Sequence, residues 1–279
     1  MKLRFPLSDV TIEISDHAKE VESPHYEDGF IRVNQREFSM NVEGVARFYV
    51  SEGNYIAISP YPGAAQNSIE LFLNGSAYGA ILHQRGILPM HGSSFCHNNT
   101  GIMVCGDSGA GKSSLTASFC LNGAEFLTDD VTPMLFEKDI PCIWVMSDRI
   151  KLWSDSLKQL NHNPEGLHRI IPKTDKFYFP MRSEKGKVFP LKQIILLSIH
   201  DKSNVDFIEI NGFEKFQALR NEIYRWEYLA GMPKTDALYF KQLSNISHFT
   251  KITKVMRPSV ITIEALQNKI VDFLENQQQ

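Results

Sequence analysis

Cysteine is scarce. Cys96, Cys105, Cys120 and Cys142 are the whole supply in 279 residues, and no two stand in Cys-x-x-Cys spacing. That argues against a disulfide framework or a zinc knuckle and reads as buried free thiols in a reducing cytoplasm. An excess of one charge is missing too. The 29 Lys and Arg against 32 Asp and Glu leave a net charge of −3, and the signs are interspersed without long runs. Nothing electrostatic therefore points to nucleic acid or an anionic membrane as partner. No apolar run approaches the roughly 20 residues of a membrane span, and Met1 to Asp9 is too polar for a signal peptide. The expected location is cytoplasmic. Internal repeats are absent, and the one low-complexity stretch is the tail Gln277-Gln278-Gln279.

What is present supports a sizeable core: 43% of residues are hydrophobic, enough for one large domain or two small ones. Val10-Thr11-Ile12-Glu13-Ile14, Phe30-Ile31-Arg32-Val33 and Ala46-Arg47-Phe48-Tyr49-Val50 alternate or are rich in β-formers, with Gly29, Gly44 and Gly53 nearby. The reading is a small β-rich N-terminal module, residues 1–62, ahead of a larger domain, 63–279. Ser68 to Gln84 has the spacing of a buried helix, weakened by Gly75 and Gly79. Further on, strands are predicted over 102–105, 124–128, 142–146, 192–199 and 251–256. Helices are predicted over 112–122, 211–230, 234–248 and 263–275, and Ser154 is read as the cap of a short helix to Leu160. The fold class is α/β behind a β-rich front.

The informative stretch is Gly106-Asp107-Ser108-Gly109-Ala110-Gly111-Lys112-Ser113. In the pattern Gly-x-x-x-x-Gly-Lys-Ser, glycines let successive backbone N–H groups turn inward onto phosphate oxygens, and the following helix adds its positive N-terminus. Lys112 would reach the β- and γ-phosphates, and the Ser113 hydroxyl would ligate Mg²⁺. Accident produces the four fixed positions in roughly 1% of chains this long. Here an apolar strand precedes the loop and a helical run follows it, so a nucleoside triphosphate with Mg²⁺ is the expected ligand.

Two flanking features suggest chemistry as well as binding. A hairpin turning at Asn99-Thr100 would set His91 level with residue 108, beside the bound phosphates; a half-buried histidine satisfied by backbone is the plainer alternative. After the loop, a helix of about 11 residues travels roughly 16 Å away, and five or six strand residues return the same distance. Asp129-Asp130 should therefore emerge at the height of the γ-phosphate, on a strand beside the first one. Adjacent residues at a strand end point apart, so one carboxylate can face Mg²⁺ and the other an acceptor hydroxyl.

Met90-His91-Gly92, the hairpin, the loop, Gly123-Ala124 and Asp129-Asp130 together resemble the core of HPr kinase/phosphorylase, a compact P-loop kinase fold also related to phosphoenolpyruvate carboxykinase. The resemblance spans about Leu88 to Met134. It implies that Gly106, Asp107, Ser108, Gly109, Ala110, Gly111, Lys112, Ser113 and Ser114 hold ATP and that Ser113 and Asp130 hold Mg²⁺. It further implies that Asp129 is the base taking the acceptor proton, and that His91 bonds near the γ-phosphate and base. The Glu/Arg/Gly-rich signature that HPr kinases carry after the aspartates is missing from Phe136-Glu137-Lys138-Asp139-Ile140-Pro141 and beyond. That loss turns the expectation away from HPr and from phosphorolysis.

Arg149-Ile150-Lys151-Leu152-Trp153-Ser154-Asp155-Ser156-Leu157, with Arg169 and Lys176, resembles a divergent subgroup that includes kinases of lasso-peptide precursor serines. Lys151, Arg169 and Lys176 are candidate cations for phosphoryl transfer, with surface solvation as the alternative. Trp153 and Leu157 are expected in the core. The leading expectation is a kinase acting on a serine of a peptide or protein, with lasso-peptide precursors as one candidate acceptor. HPr, free serine or a sugar as acceptor, and a regulator that binds nucleotide without transfer, are the rivals. The C-terminal third, with Trp226, Tyr228, Phe240 and Phe249, is expected to provide core and packing surface and to carry a homo-oligomer interface.

Overall fold

The computed structural model of the chain describes residues 3–276, so the glutamine tail lies outside the described residues. The fold is mixed α/β with several sheets. Contacts divide it into two compact units. One takes in the chain up to Met90 with Arg169–Thr174 and Ile223–Leu243. The other takes in His91–His168, Asp175–Glu222 and the chain from Ser244 onward.

In the first unit, strands β1 (Thr11–Ile14), β2 (Tyr26–Glu27), β3 (Ile31–Val33), β4 (Glu37–Val42), β5 (Ala46–Ser51) and β6 (Tyr55–Pro60) form a six-stranded sheet in the order β1-β6-β5-β4-β3-β2. The period-2 pattern explains the pleat: Ala46, Phe48 and Val50 are fully buried while Arg47 between them faces solvent. The expected helix over 68–84 exists as α1 (Gln66–Phe72) and α2 (Tyr78–Gln84), joined by a π-helical turn, Leu73–Ala77, which contains Gly75. Strand β7 (Leu88–His91) leads out of this unit.

The second unit is built on β8 (Ser93–His97), β9 (Thr100–Cys105), helix α3 (Lys112–Leu121), β10 (Glu125–Thr128), β11 (Val131–Glu137) and β12 (Ile140–Trp144). It continues through β13 (Arg149–Trp153), α4 (Ser154–Gln159), the two-residue β14 (His168–Arg169, whose second residue belongs to the first unit), β15 (Lys176–Pro180), β16 (Val188–His200), β17 (Asp206–Glu209) and α5 (Phe213–Asn221). Helix α6 (Pro233–Phe249) belongs to the first unit as far as Leu243, and the second unit resumes at Ser244 with β18 (Lys251–Pro258) and α7 (Ile263–Asn276). The main sheet runs β10-β8-β9-β16-β12-β11, with β18 beside β16 and β17 beside β18. Strand β9 is parallel to β16, which is parallel to β18. Helix α3 packs on this sheet through Leu115 and Phe119; the Phe119 ring stacks on Phe95 at 4.4 Å between centroids.

Several sequence expectations give way here. The hairpin turns on Asn98-Asn99, because both residues take left-handed φ values, 49° and 58°, as a tight two-residue turn requires. Ser93 therefore faces Val104, and the strand breaks at Gly92, so His91 lies on β7 and not on the hairpin arm. The returning strand β10 does not adjoin β9; it pairs antiparallel with β8, which stands between them. Ser154 is not a side-chain cap. It is the first residue of α4, and its hydroxyl donates to the Asp175 carboxylate. The helix read over 211–230 is two pieces. Arg225 takes a left-handed φ of 55° between α5 and the 3-10 turn Trp226–Gly231. Of the aromatic group there, Tyr228 is buried while Trp226 and Phe240 are exposed.

Candidate nucleotide and phosphoryl-transfer site

The candidate site lies within the second unit. Strand β9 ends at Cys105 and the chain turns at Gly106, whose φ of +125° is open only to glycine. A Cβ there would stand 2.1 Å from the Leu197 carbonyl oxygen, so the parallel neighbour strand forces glycine at the mouth of the loop. Gly109 and Gly111 also have positive φ, 85° and 104°. Gly111 is the residue before α3, and no side chain caps that helix. The N-terminus of α3 therefore has no capping carboxylate, and a helix start left open in this way favours an anion.

The loop is braced by its own chain. Lys112 Nζ donates to the Gly106 carbonyl at 2.6 Å and to that of Asp107 at 3.2 Å. Arg257, at the end of β18, donates from Nε to the Ala110 carbonyl at 2.8 Å, and burial pulls its basicity down. The Ala110 methyl is buried in the core, while Asp107 and Ser108 are exposed at the tip. Glu222 accepts the Gly106 N–H at 3.4 Å, and its own carbonyl accepts the His91 N–H at 2.6 Å. Burial raises the Glu222 carboxyl, partly offset by that N–H and by Lys112. Ser114 turns away: its hydroxyl meets that of Ser156 at 2.7 Å.

The two aspartates are sorted by a turn. The Val131 N–H donates to the Asp129 carbonyl at 2.9 Å around Asp130, whose φ is +71°. This is a γ-turn on a non-glycine residue, a conformation that costs about 1–3 kcal/mol and persists only where its surroundings enforce it. It throws the carboxylates onto different partners. Asp129 accepts from the Ser113 hydroxyl at 2.7 Å and from the Lys151 backbone N–H at 2.8 Å. Asp130 accepts from Lys151 Nζ at 2.7 Å and has His91 Nε2 at 3.9 Å. Burial raises the Asp129 carboxyl and the charge of Asp130 raises it further, against the bonds from Lys151 and Ser113. Burial acts the same way on Asp130, but the Lys151 ammonium overrides it, with help from His91 and Lys176, and holds that carboxyl far below the usual range.

So the structure brings together His91, Lys112, Ser113, Asp129 and Asp130. Of the further cations, Lys151 is in the site, and Lys176 lies over the Trp153 ring at 5.6 Å. Burial lowers Lys176's basicity; its field includes Asp129, Asp130, Lys151 and Lys112. Arg169 belongs to the first unit, where it donates to the Thr174 carbonyl. Trp153 is 52% exposed, contrary to the core expectation, because β13 alternates and only Ile150 and Leu152 face inward; Leu157 is buried as expected. Sequence reasoning missed Glu222 and Arg257. Glu222 was absorbed into an expected helix, and nothing local to Arg257 marks it as a loop brace.

The side chains fit a hard cation. Ser113 and Asp129 present adjacent oxygen donors, the set that suits Mg²⁺ shared with phosphates. Among the described residues no group of three or more His, Cys, Asp or Glu side chains is placed to hold a metal.

No protein-family model matches the chain, and no curated protein sequence does. Among solved structures, it is similar to the Hpr(Ser) kinase/phosphatase from Coxiella burnetii at 11% identity and a TM-score of 0.35, over 68% of this chain and 99% of that one. A likeness so distant carries no function, which rests on the geometry above.

Proposed function

We propose that the chain is an ATP- and Mg²⁺-dependent kinase with a P-loop core of the HPr-kinase-like kind, transferring the γ-phosphate to a serine hydroxyl of a peptide or protein. The observation that carries this reading is the convergence of Lys112 and Ser113 of the glycine loop with Asp129, Asp130 and His91. A loop that only bound nucleotide would not require two carboxylates with opposed protonation tendencies at its edge.

In this reading the amides of residues 106–113 and the Lys112 ammonium hold the β- and γ-phosphates. Lys112 leaves the Gly106 and Asp107 carbonyls to do so. Magnesium, when bound, would neutralise phosphate charge, with Ser113 and Asp129 as its side-chain neighbours. This assignment exchanges the roles that the family resemblance implies for Asp129 and Asp130, and the bond from Ser113 to Asp129 supports the exchange. Asp130, beside His91, then faces the acceptor. As the serine oxygen bonds to the γ-phosphorus and the bond to the β–γ bridging oxygen breaks, its proton passes to Asp130 and ADP leaves. Lys151 keeps Asp130 ionised and aimed, and Lys176 adds positive charge on the same side.

The test is incubation with γ-labelled ATP, Mg²⁺ and three acceptors: a serine-terminated precursor peptide, HPr and free serine. Label on the peptide supports the reading. Label on HPr or free serine moves the acceptor class, and tight ATP binding with no label on any acceptor refutes transfer.

A further inference from the structure

The γ-turn that presents Asp129 and Asp130 is flanked by two buried threonines, and both belong to one chain of hydroxyls. Ser94 Oγ lies 2.6 Å from Thr128 Oγ1, and Thr128 Oγ1 lies 2.6 Å from Thr132 Oγ1. Thr132 Oγ1 donates to the Gly92 carbonyl at 3.1 Å. Ser93 Oγ donates to the Thr128 carbonyl at 3.3 Å. Ser93, Ser94, Thr128 and Thr132 are each at most 1% exposed, so water does not compete.

The proton order in this chain follows from its end. A carbonyl only accepts, so the Thr132 proton is committed to Gly92. Thr128 must then donate to Thr132, and Ser94 to Thr128. Each bond polarises the next in the same direction, and removing one hydroxyl leaves its neighbours with a buried, mismatched pair. What matters is where the members of the chain stand in the sequence. Thr128 immediately precedes Asp129, Thr132 follows Asp130 by two, and Gly92 is the residue after His91. A Cβ at Gly92 would meet the Val104 carbonyl oxygen at 2.9 Å, so this position, which carries the acceptor at the end of the chain, takes glycine only.

We propose that the Ser94–Thr128–Thr132 hydroxyl chain is the positioning device that sets His91 against the Asp129-Asp130 turn. It touches neither nucleotide nor acceptor. It fixes the separation of the groups that do, by pinning both arms of a strained turn to the carbonyl beside His91. The consequence for rate rests on the kinase reading; the geometric consequence does not.

Thr132→Val and Thr128→Val keep the side-chain volume and remove the hydroxyl, while Thr132→Ser keeps the hydroxyl. Thr132→Val should lose about tenfold in kcat with the KM for ATP within about twofold, since small misplacements of reacting groups act on the transfer step. Thr132→Ser should recover most of that loss. A Thr132→Val protein at the wild-type kcat, or a Ser variant as slow as the Val variant, overturns the proposal. In the wild-type protein the Thr128 and Thr132 hydroxyl protons should give slowly exchanging NMR resonances. Their absence overturns the proposal even where a Val variant does not fold. Should the wild type transfer no phosphate, the kinase reading fails by itself. A crystal structure of Thr132→Val then decides: a changed His91–Asp130 separation supports the device, and an unchanged one refutes it.

Discussion

The Ser113 hydroxyl donates to the Asp129 carboxylate at 2.7 Å across a sequence separation of 16 residues. The bond closes a circuit from the glycine loop, out along α3 and back along β10, onto the second residue of that helix. It also distinguishes the two aspartates. Ser113→Ala should therefore weaken ATP binding about tenfold with Mg²⁺ present and far less with EDTA, read by calorimetry. Equal weakening under both conditions would separate Ser113 from the metal.

Lys151 Nζ bonds Asp130 at 2.7 Å, whereas its backbone N–H serves Asp129. Lys151→Met removes the first contact and leaves the second. Without the ammonium, burial acts unopposed by its strongest partner and the Asp130 carboxyl titrates higher. The acid limb of the kcat/KM profile should move to higher pH, with kcat reduced about 10²-fold at neutral pH. An acid limb at the wild-type position would show that Asp130 is not the group it reports.

Two loop glycines should respond differently to alanine. At Gly106 a Cβ would meet the Leu197 carbonyl at 2.1 Å, in addition to the strain of a φ of +125°. Gly106→Ala should cost about 3 kcal/mol of stability or more. At Gly109, where no atom lies within 4 Å, only the left-handed backbone resists, at about 1 kcal/mol. Urea midpoints of the two variants check the order.

His83, in the first unit, is fully buried; its Nε2–H donates to the Tyr224 carbonyl at 2.8 Å. Burial lowers its pKa from 6.5 to about 4. The unfolded chain therefore takes up a proton that the folded one refuses. Stability is fully present above pH 6.5 and is lost as pH falls toward 4, by about 3 kcal/mol at most. His83→Phe should flatten that part of the stability–pH curve, measured by urea melts between pH 7 and 4. A slope unchanged from wild type would place the dependence on other groups.

The loop and the aspartate pair were legible because the constraint is local. Glycine at fixed offsets and the matched lengths of a helix and a strand place Asp129 near Ser113 from arithmetic alone. The hairpin register was not. A two-residue shift depends on whether Asn98-Asn99 or Asn99-Thr100 carries the left-handed pair, and both dipeptides are plausible turn formers. The position of β10 was missed for a different reason. A helix-linked strand usually returns beside its parent, and here the antiparallel β8 occupies that place. The spacing of four between Trp153 and Leu157 implies a shared buried face only within one helix; Trp153 instead ends β13, whose alternation turns it outward, and α4 starts one residue later. Arg257 and Glu222 reach the loop from more than 100 residues away. No local pattern in the sequence encodes that approach.

The most direct test compares the wild-type protein with Asp130→Asn, using γ-labelled ATP, Mg²⁺ and a serine-containing peptide acceptor, with ATP affinity measured in parallel. The expected result is acid-stable label on the peptide serine with the wild type. With Asp130→Asn the label should fall by at least about 10³-fold at an ATP affinity within a few-fold of wild type. Equal transfer by both proteins would contradict the assignment of Asp130, and tight ATP binding with no transfer by the wild type to any acceptor would contradict the kinase itself.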